Sequence, residues 1–140
     1  MAVERTLFII KPDATSRQLL GRILAHVEDK GFKIVEARYT RITRDQCNEF
    51  YSEHVGKPFY PGLVDFMTSG PVMVCCLERE AAVGTLREVI GATDPALAAE
   101  GTIRRLYAES KGRNAVHASD SPASAEREVK LFFGVAALSH

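Results

Sequence analysis

The densest run of chemically able side chains is Arg113-Asn114-Ala115-Val116-His117-Ala118-Ser119-Asp120-Ser121. It delivers an imidazole just ahead of a helix-start signal, with an amide, a hydroxyl and a carboxylate within three residues. Such a histidine is either catalytic or a core histidine hydrogen-bonded at a strand end, and the segment alone leaves both readings open. Arg87 is the second residue to stand out. It lies four residues after Val83 and between Leu86 and Ile90, near the buried edge of its helix, where an arginine either snorkels to water or pairs with an anion. Lys11 has no P-loop glycine pattern ahead of it, no G-x-G-x-x-G occurs, and no protein-kinase catalytic loop is present, so the common kinase designs are excluded. The chemistry must come from isolated polar residues held where strands and helices end.

The elements that would hold them follow from periodicity. Leu7-Phe8-Ile9-Ile10 is a continuous apolar run, read as a strand buried on both faces. Leu19, Leu20, Ile23, Leu24 and Val27 then recur at helical spacing until Lys30-Gly31 ends the helix. Val35, Ala37 and Tyr39 alternate with polar neighbours, which predicts a half-buried second strand. Residues 44–69 read as two short helices around Gly56-Lys57-Pro58, Val72 to Leu77 as a third strand, and Val83, Leu86 and Ile90 as the next helix. The stretch from Gly91 to Gly112 has poor periodicity, and a tract this long without its own element is more often functional than idle. A short strand at Ala115 to His117 precedes a last helix, capped by Ser121-Pro122, whose apolar stripe is Ala125, Val129, Phe132 and Phe133. The order predicts an α+β protein of the ferredoxin-like, split βαβ plan: a four-stranded antiparallel sheet with helices packed on it and irregular insertions that serve the active site. That plan hosts enzymes, sensors and RNA binders, so fold alone does not choose a function.

With 140 residues the chain is read as a single domain, 1–140. Eighteen basic residues balance eighteen acidic ones, so nothing global marks a nucleic-acid or membrane-surface binder, and any anionic ligand must be held locally. The short apolar stretch near the N-terminus is too brief for a signal segment or a membrane span, which points to a cytoplasmic protein. Three cysteines, with Cys75 and Cys76 adjacent and on opposite faces of a strand, form no CxxC or Cys/His pattern and read as structural thiols. His26, His54 and His140 are scattered and read as structural or solvated, with His54 alone near a loop that could serve the site.

Taken together, these segments resemble the nucleoside diphosphate kinase family. Its signature around the active histidine, Asn-x-x-His-(Gly/Ala)-Ser-Asp, is matched by Asn114, His117, Ala118, Ser119 and Asp120. The resemblance extends through Glu4-Arg5-Thr6-Leu7, Ile10-Lys11-Pro12-Asp13-Ala14, Phe50-Tyr51, Lys57-Pro58-Phe59-Tyr60, Met67-Thr68-Ser69-Gly70-Pro71, Gly91-Ala92-Thr93-Asp94-Pro95 and Gly101-Thr102-Ile103-Arg104. Several separate motifs in the right order are far more specific than any one of them.

The resemblance implies transfer of the γ-phosphate of a nucleoside triphosphate, typically ATP, to a nucleoside diphosphate by a ping-pong route through phosphohistidine at His117. It makes Lys11, Arg87 and Arg104 the phosphate-binding cations, with Thr93 and Asn114 as neutral donors. Phe59 becomes the aromatic on which the base stacks and Leu63 the apolar wall opposite it. Glu128 becomes the partner of the histidine's other ring nitrogen, and Tyr51 and Ser119 become supporting hydroxyls. From the residues alone Glu128 lies beside Phe132 at the margin of the apolar stripe, either partnered there or simply solvated. The resemblance further implies Mg²⁺ carried by the nucleotide phosphates rather than by protein ligands, nucleoside di- and triphosphates as partners, and a homo-oligomer.

Three departures from the family pattern stand out: Leu106 where an aspartate is common, Ala118 where glycine is commonest, and Arg79 in a segment that usually carries a glycine. Leu106 and Arg79 bear on loop packing and subunit contacts, and Ala118 only restricts the backbone beside the histidine. A non-catalytic nucleotide-binding module on the same fold has no need of an unblocked nucleophile, and nucleic-acid binding fits poorly with balanced charge and isolated aromatics.

Overall fold

The computed structural model describes residues 3–138, so His140 lies outside the described residues. Strand β1 (Val3–Ile10) is followed by a single turn of helix α1 (Pro12–Thr15), α2 (Leu20–Asp29) and β2 (Lys33–Thr40). Then come α3 (Arg44–Phe50), α4 (Tyr60–Met67), β3 (Val72–Glu80), α5 (Ala82–Ile90), α6 (Ile103–Tyr107), β4 (Val116–Ala118) and α7 (Pro122–Phe133). The sheet order is β2-β3-β1-β4, and every neighbouring pair is antiparallel. This is the expected split βαβ plan.

Strand β1 lies between β3 and β4, and its alternation feeds two cores. Phe8 and Ile10 pack with Ile23 and Val27 of α2, Leu86 and Ile90 of α5, and Ile103 of α6. Leu7 and Ile9 pack on the opposite face with Phe50 of α3, Val64 of α4, and Val129 and Phe132 of α7. A run that supplies both faces has no room for polar residues, which is why Leu7 to Ile10 is uninterrupted. All four are fully buried, and each contributes about 1.5–3 kcal/mol. Cys75 joins the first core and Cys76 the second, and burial pushes their thiols up to about 12 and about 11, which suits inert packing groups.

Three elements depart from the sequence expectation. Strand β3 runs on to Glu80 because its polar end pairs along the whole of β1, with an Arg5–Glu78 ion pair at 2.8 Å closing that end. In β2 only part of the expected inward face is buried: Val35 packs half-buried on the second core, whereas Ala37 is exposed and Tyr39 is 58% exposed. A bulge between Ile34 and Glu36 resets the pleat on this edge strand, and Arg38 instead reaches across to donate to the carbonyl of Phe132 at 2.7 Å. The tract from Gly91 to Gly112 contains α6, started by the Thr102 hydroxyl accepting the amide of Arg105 at 3.3 Å.

Gly91 ends α5 at φ +86° and ψ 179°, a conformation that is essentially glycine's alone. A Cβ built there would lie 2.5 Å from the Thr102 hydroxyl oxygen, so the same glycine lets α5 and the start of α6 meet. Its carbonyl also accepts from Arg104 at 3.1 Å. Replacing Gly91 by Ala therefore costs about 1–3 kcal/mol in backbone strain before the steric conflict is counted. The expected result is a thermal midpoint lowered by about 4 °C or more in a calorimetric scan, and an unchanged midpoint would mean that this approach is not tight.

Candidate active site

His117 is the middle residue of β4, opposite Ile9 of β1. Because Val116 and Ala118 point into the first core, His117 is directed to the other face, where its ring meets Phe50 edge-on at 4.8 Å. There α7 presents Glu128, which is buried rather than solvated. The His117 Nε2 lies 2.9 Å from Glu128 Oε1, and the Ser119 hydroxyl donates to the same oxygen at 2.8 Å. The hydroxyl in turn accepts the amide of Leu7 at 3.4 Å. A carboxylate accepts, so Nε2 carries the proton in this network, and Nδ1 keeps its lone pair. Among the described residues no hydrogen-bond partner reaches Nδ1.

Burial holds the His117 pKa below its ordinary value of 6.5, the Glu128 carboxylate works in the opposite direction, and the charges of Lys11 and Arg104 add to the lowering. The imidazole is therefore neutral at pH 7. Arg104, itself buried, donates to the carbonyls of Gly91 at 3.1 Å and Val116 at 2.9 Å, while its Nε has no partner. Burial, helped by Arg87, brings its pKa down to about 10. Lys11 donates to Asn114 Oδ1 at 3.0 Å, and burial together with Arg104 brings it down to about 8, against a raising effect of Asp13. Arg87 is exposed, with its guanidinium 3.4 Å from the carbonyl of Ala118. Lys11, Arg87 and Arg104 are thus held by carbonyl and amide oxygens rather than by carboxylates, an arrangement that favours an arriving anion.

A cleft of about 210 Å³ is lined by Tyr51, Arg87, Arg104, His117 and Glu128 among the residues expected from the sequence. Ser119 stands behind Glu128, and the Lys11–Asn114 pair is buried beside the end of β1. Phe59 is 54% exposed and does not line the cleft, nor does half-buried Leu63, which rests on the second core. A row of rings joins Phe59 to the histidine: His54 at 5.4 Å from Phe59, Tyr51 at 6.0 Å from His54, Phe50 at 4.7 Å from Tyr51, then His117. Thr93 lies exposed in the loop after α5, outside the cleft lining.

Phe50, Asp120 and Arg127 also line the cleft; the first two were named from the sequence only as parts of family motifs, with no role assigned, and Arg127 was not singled out. Arg127 donates to the carbonyls of Glu49 and Phe50, each at 3.2 Å, and stands 3.7 Å from Glu128 Oε2. The adjacent pair Arg127-Glu128 was visible, but nothing local shows that the arginine fastens the end of α3. Asp120, held below the usual carboxylate range by a hydrogen bond from Ser124, carried a weak signal in its place three residues after the histidine. Among the described residues no group of three or more His, Cys, Asp or Glu is placed to hold a metal ion, and no helix is long and apolar enough to cross a membrane.

The sequence model described as Nucleoside diphosphate kinase matches residues 4–138. The chain belongs to the nucleoside diphosphate kinase family. A nucleoside diphosphate kinase of Heliobacterium modesticaldum is 53% identical over 131 residues, covering 94% of this chain and 88% of its own. One from a Bradyrhizobium species is 54% identical over 133 residues, covering 95% of both chains. The solved structure of the Aquifex aeolicus nucleoside diphosphate kinase has a TM-score of 0.93 at 44% identity, over 99% of this chain and 100% of that one. A halophilic nucleoside diphosphate kinase from Halobacterium salinarum, solved in complex with CDP, has a TM-score of 0.92 at 42% identity, over 99% of this chain and 93% of its own.

Within that family frame the three departures have physical settings. Ala118 is buried on the core face of β4, where a strand needs no glycine conformation. Arg79 donates to the carbonyl of Lys30 at 2.9 Å and lies over the Phe32 ring at 5.5 Å, tying the end of β3 to the end of α2. Leu106 is 53% exposed on α6. The charge balance at His117 yields a measurable outcome. Its ring should titrate below 6.5 in an NMR pH series, and Glu128→Gln should move the midpoint lower still by removing the one group that raises it. A midpoint at or above 6.5, or a rise in the variant, would contradict this electrostatic account.

Proposed function

We propose that this chain transfers the γ-phosphate of a nucleoside triphosphate to a nucleoside diphosphate by a ping-pong mechanism, with phosphohistidine formed at Nδ1 of His117. The observation that carries the reading is the division of labour between the two ring nitrogens. Glu128 engages Nε2, so the lone pair of Nδ1 is the one left to attack. As the Nδ1–P bond forms, the bond from the γ-phosphorus to its bridging oxygen breaks, and the diphosphate leaves with that oxygen. A second diphosphate then attacks the phosphohistidine through its terminal oxygen, and the imidazole is regenerated.

The transition state spreads negative charge over the three oxygens of the travelling phosphoryl group, and positioned cations stabilise it. Arg87 and Arg104 line the cleft, and Lys11 lies near enough to depress the His117 pKa. Each charge-assisted hydrogen bond to phosphate is worth about 1.5–3 kcal/mol. In this reading Asn114 and Thr93 are neutral donors and Tyr51 a hydroxyl beside the phosphates; burial holds the Tyr51 phenol well above its ordinary pKa, so it stays a donor. Magnesium enters with the nucleotide, shared among its phosphates and waters. The base lies outward, stacked on Phe59 with Leu63 opposite. The CDP held by the Halobacterium salinarum relative is consistent with a slot that admits pyrimidines. A single domain carries the whole site, and the protein works as a cytoplasmic homo-oligomer.

Two outcomes test the proposal. Incubation with γ-labelled ATP and no acceptor should label the protein in an acid-labile, alkali-stable manner, and His117→Gln should abolish the label; label retained in the variant rules out the assignment. The wild type should also use the diphosphates of guanosine, adenosine, cytidine and thymidine with small differences in kcat/KM, because a slot without buried polar groups cannot strongly reject any base. Phe59→Ala should weaken all four by a similar factor, on the order of tenfold. Loss confined to one base would point to a base-reading contact instead.

A further inference from the structure

The residue before the last strand is unusual. Ala115 is fully buried and has φ +75°, in the left-handed region that a side chain disfavours. The amide of Val116 donates to the carbonyl of Asn114 at 2.9 Å, so Ala115 is the centre of a γ-turn of the rare, positive-φ kind. Such a turn persists only where the surroundings over-determine it. Its amide donates to Asp13 Oδ2 at 2.9 Å, and its carbonyl accepts the amide of Lys11 at 2.8 Å. Asp13 is 1% exposed, lies 102 residues away in sequence, and has no other hydrogen bond through its second oxygen. A carboxylate sunk this deep, with one backbone amide as its hydrogen bond and the Lys11 charge as its electrostatic neighbour, is costly as mere packing.

We propose that Asp13 is a positioning residue for the phosphotransfer assigned above: by bonding the Ala115 amide it holds the γ-turn that turns the chain from Asn114, against Lys11, into His117, facing Glu128. The turn stands between the two halves of the site. Before it, Asn114 meets the Lys11 ammonium at 3.0 Å. After it, the carbonyl of Val116 takes the Arg104 guanidinium at 2.9 Å, and His117 meets Glu128. If the turn relaxed toward negative φ, the chain on its two sides would rotate relative to each other, and the nucleophile would lose its setting against the cations without any of those residues being changed. Nucleotide held by Arg87 and Arg104 would still bind. The inference rests on the proposed phosphotransfer, and the two fail separately: an unmodified protein that takes no label from ATP defeats the activity, whereas normal labelling in the variants below defeats only the role of Asp13.

The test is the single-turnover rate of protein phosphorylation by saturating γ-labelled ATP, together with the equilibrium affinity for ADP. Asp13→Ala should slow phosphorylation tenfold or more while ADP affinity stays within about threefold. Asp13→Asn keeps an acceptor oxygen for the Ala115 amide and should stay within about threefold of the wild-type rate. The double variant Asp13→Ala, Ala115→Gly should recover at least threefold of the loss, since glycine adopts positive φ unaided. A wild-type rate in Asp13→Ala, an Asp13→Asn as slow as Asp13→Ala, no recovery in the double variant, or a loss seen only in ADP affinity would each overturn the proposal. Should Asp13→Ala not fold, amide exchange decides: slow exchange at Ala115 in both wild type and Asp13→Asn supports the bond, and exchange at the rate of an exposed loop overturns it.

Discussion

One carboxylate oxygen, Glu128 Oε1, is the point on which the site depends. It receives the His117 ring and the Ser119 hydroxyl at once, and through Ser119 it reaches the backbone of Leu7 in the middle strand. A carboxylate at 8% side-chain exposure is tolerable only with its partners in place, and Arg127 at 3.7 Å lends further positive charge from the same helix. Strand β1 is therefore fixed to β4 and α7, which follow it by more than a hundred residues, by polar contacts as well as by apolar packing. The chemical consequence is a histidine whose tautomer is imposed by the fold.

The sheet explains why those contacts can be made. With β1 in the interior and β4 as a three-residue edge strand, His117 stands on a short support paired along one side to the buried β1. The two cores divide the tasks. Through α5 and α6 one of them brings Arg87 and Arg104 toward the end of β4, and through α3 and α7 the other brings Phe50, Tyr51 and Glu128. The cleft is the place where the two sets meet, so neither half of the fold holds it alone.

Much of this was legible in the sequence wherever a signal is local. The uninterrupted apolar run of Leu7 to Ile10, the Ser121-Pro122 start of α7 and the stripe Ala125, Val129, Phe132 all appear as read, with Ser121 accepting the Ser124 amide at 3.1 Å. What escaped was either too short or too distant. Helix α1 has four residues and no period to detect, and α6, reading Ile-Arg-Arg-Leu-Tyr, is a single turn whose Thr102 cap is its only clear mark. The bulge after Ile34 interrupts the alternation of β2, whose residues from Glu36 to Thr40 are exposed, an effect of partner pairing that the strand's own alternation does not contain. Asp13 and Arg127 act through bonds that span 102 and 78 residues, so their residue types were visible and their tasks were not. Thr93 and Phe59 were placed by family resemblance, and both are exposed, Phe59 with the His54 ring as its neighbour.

The interior place of β1 also governs the order in which the protein can come into being. During synthesis β1 emerges ahead of the other three strands, yet both of its edges pair with segments made much later, residues 73–80 on one side and 116–118 on the other. Its apolar run must wait while the intervening chain is produced, which makes assembly a matter of distant encounters rather than local zipping. Helix α7 emerges later still and brings the carboxylate that orients the imidazole. A growing chain thus has its histidine before it has the means to use it, and the reactive ring gains its finished surroundings only when the last helix docks.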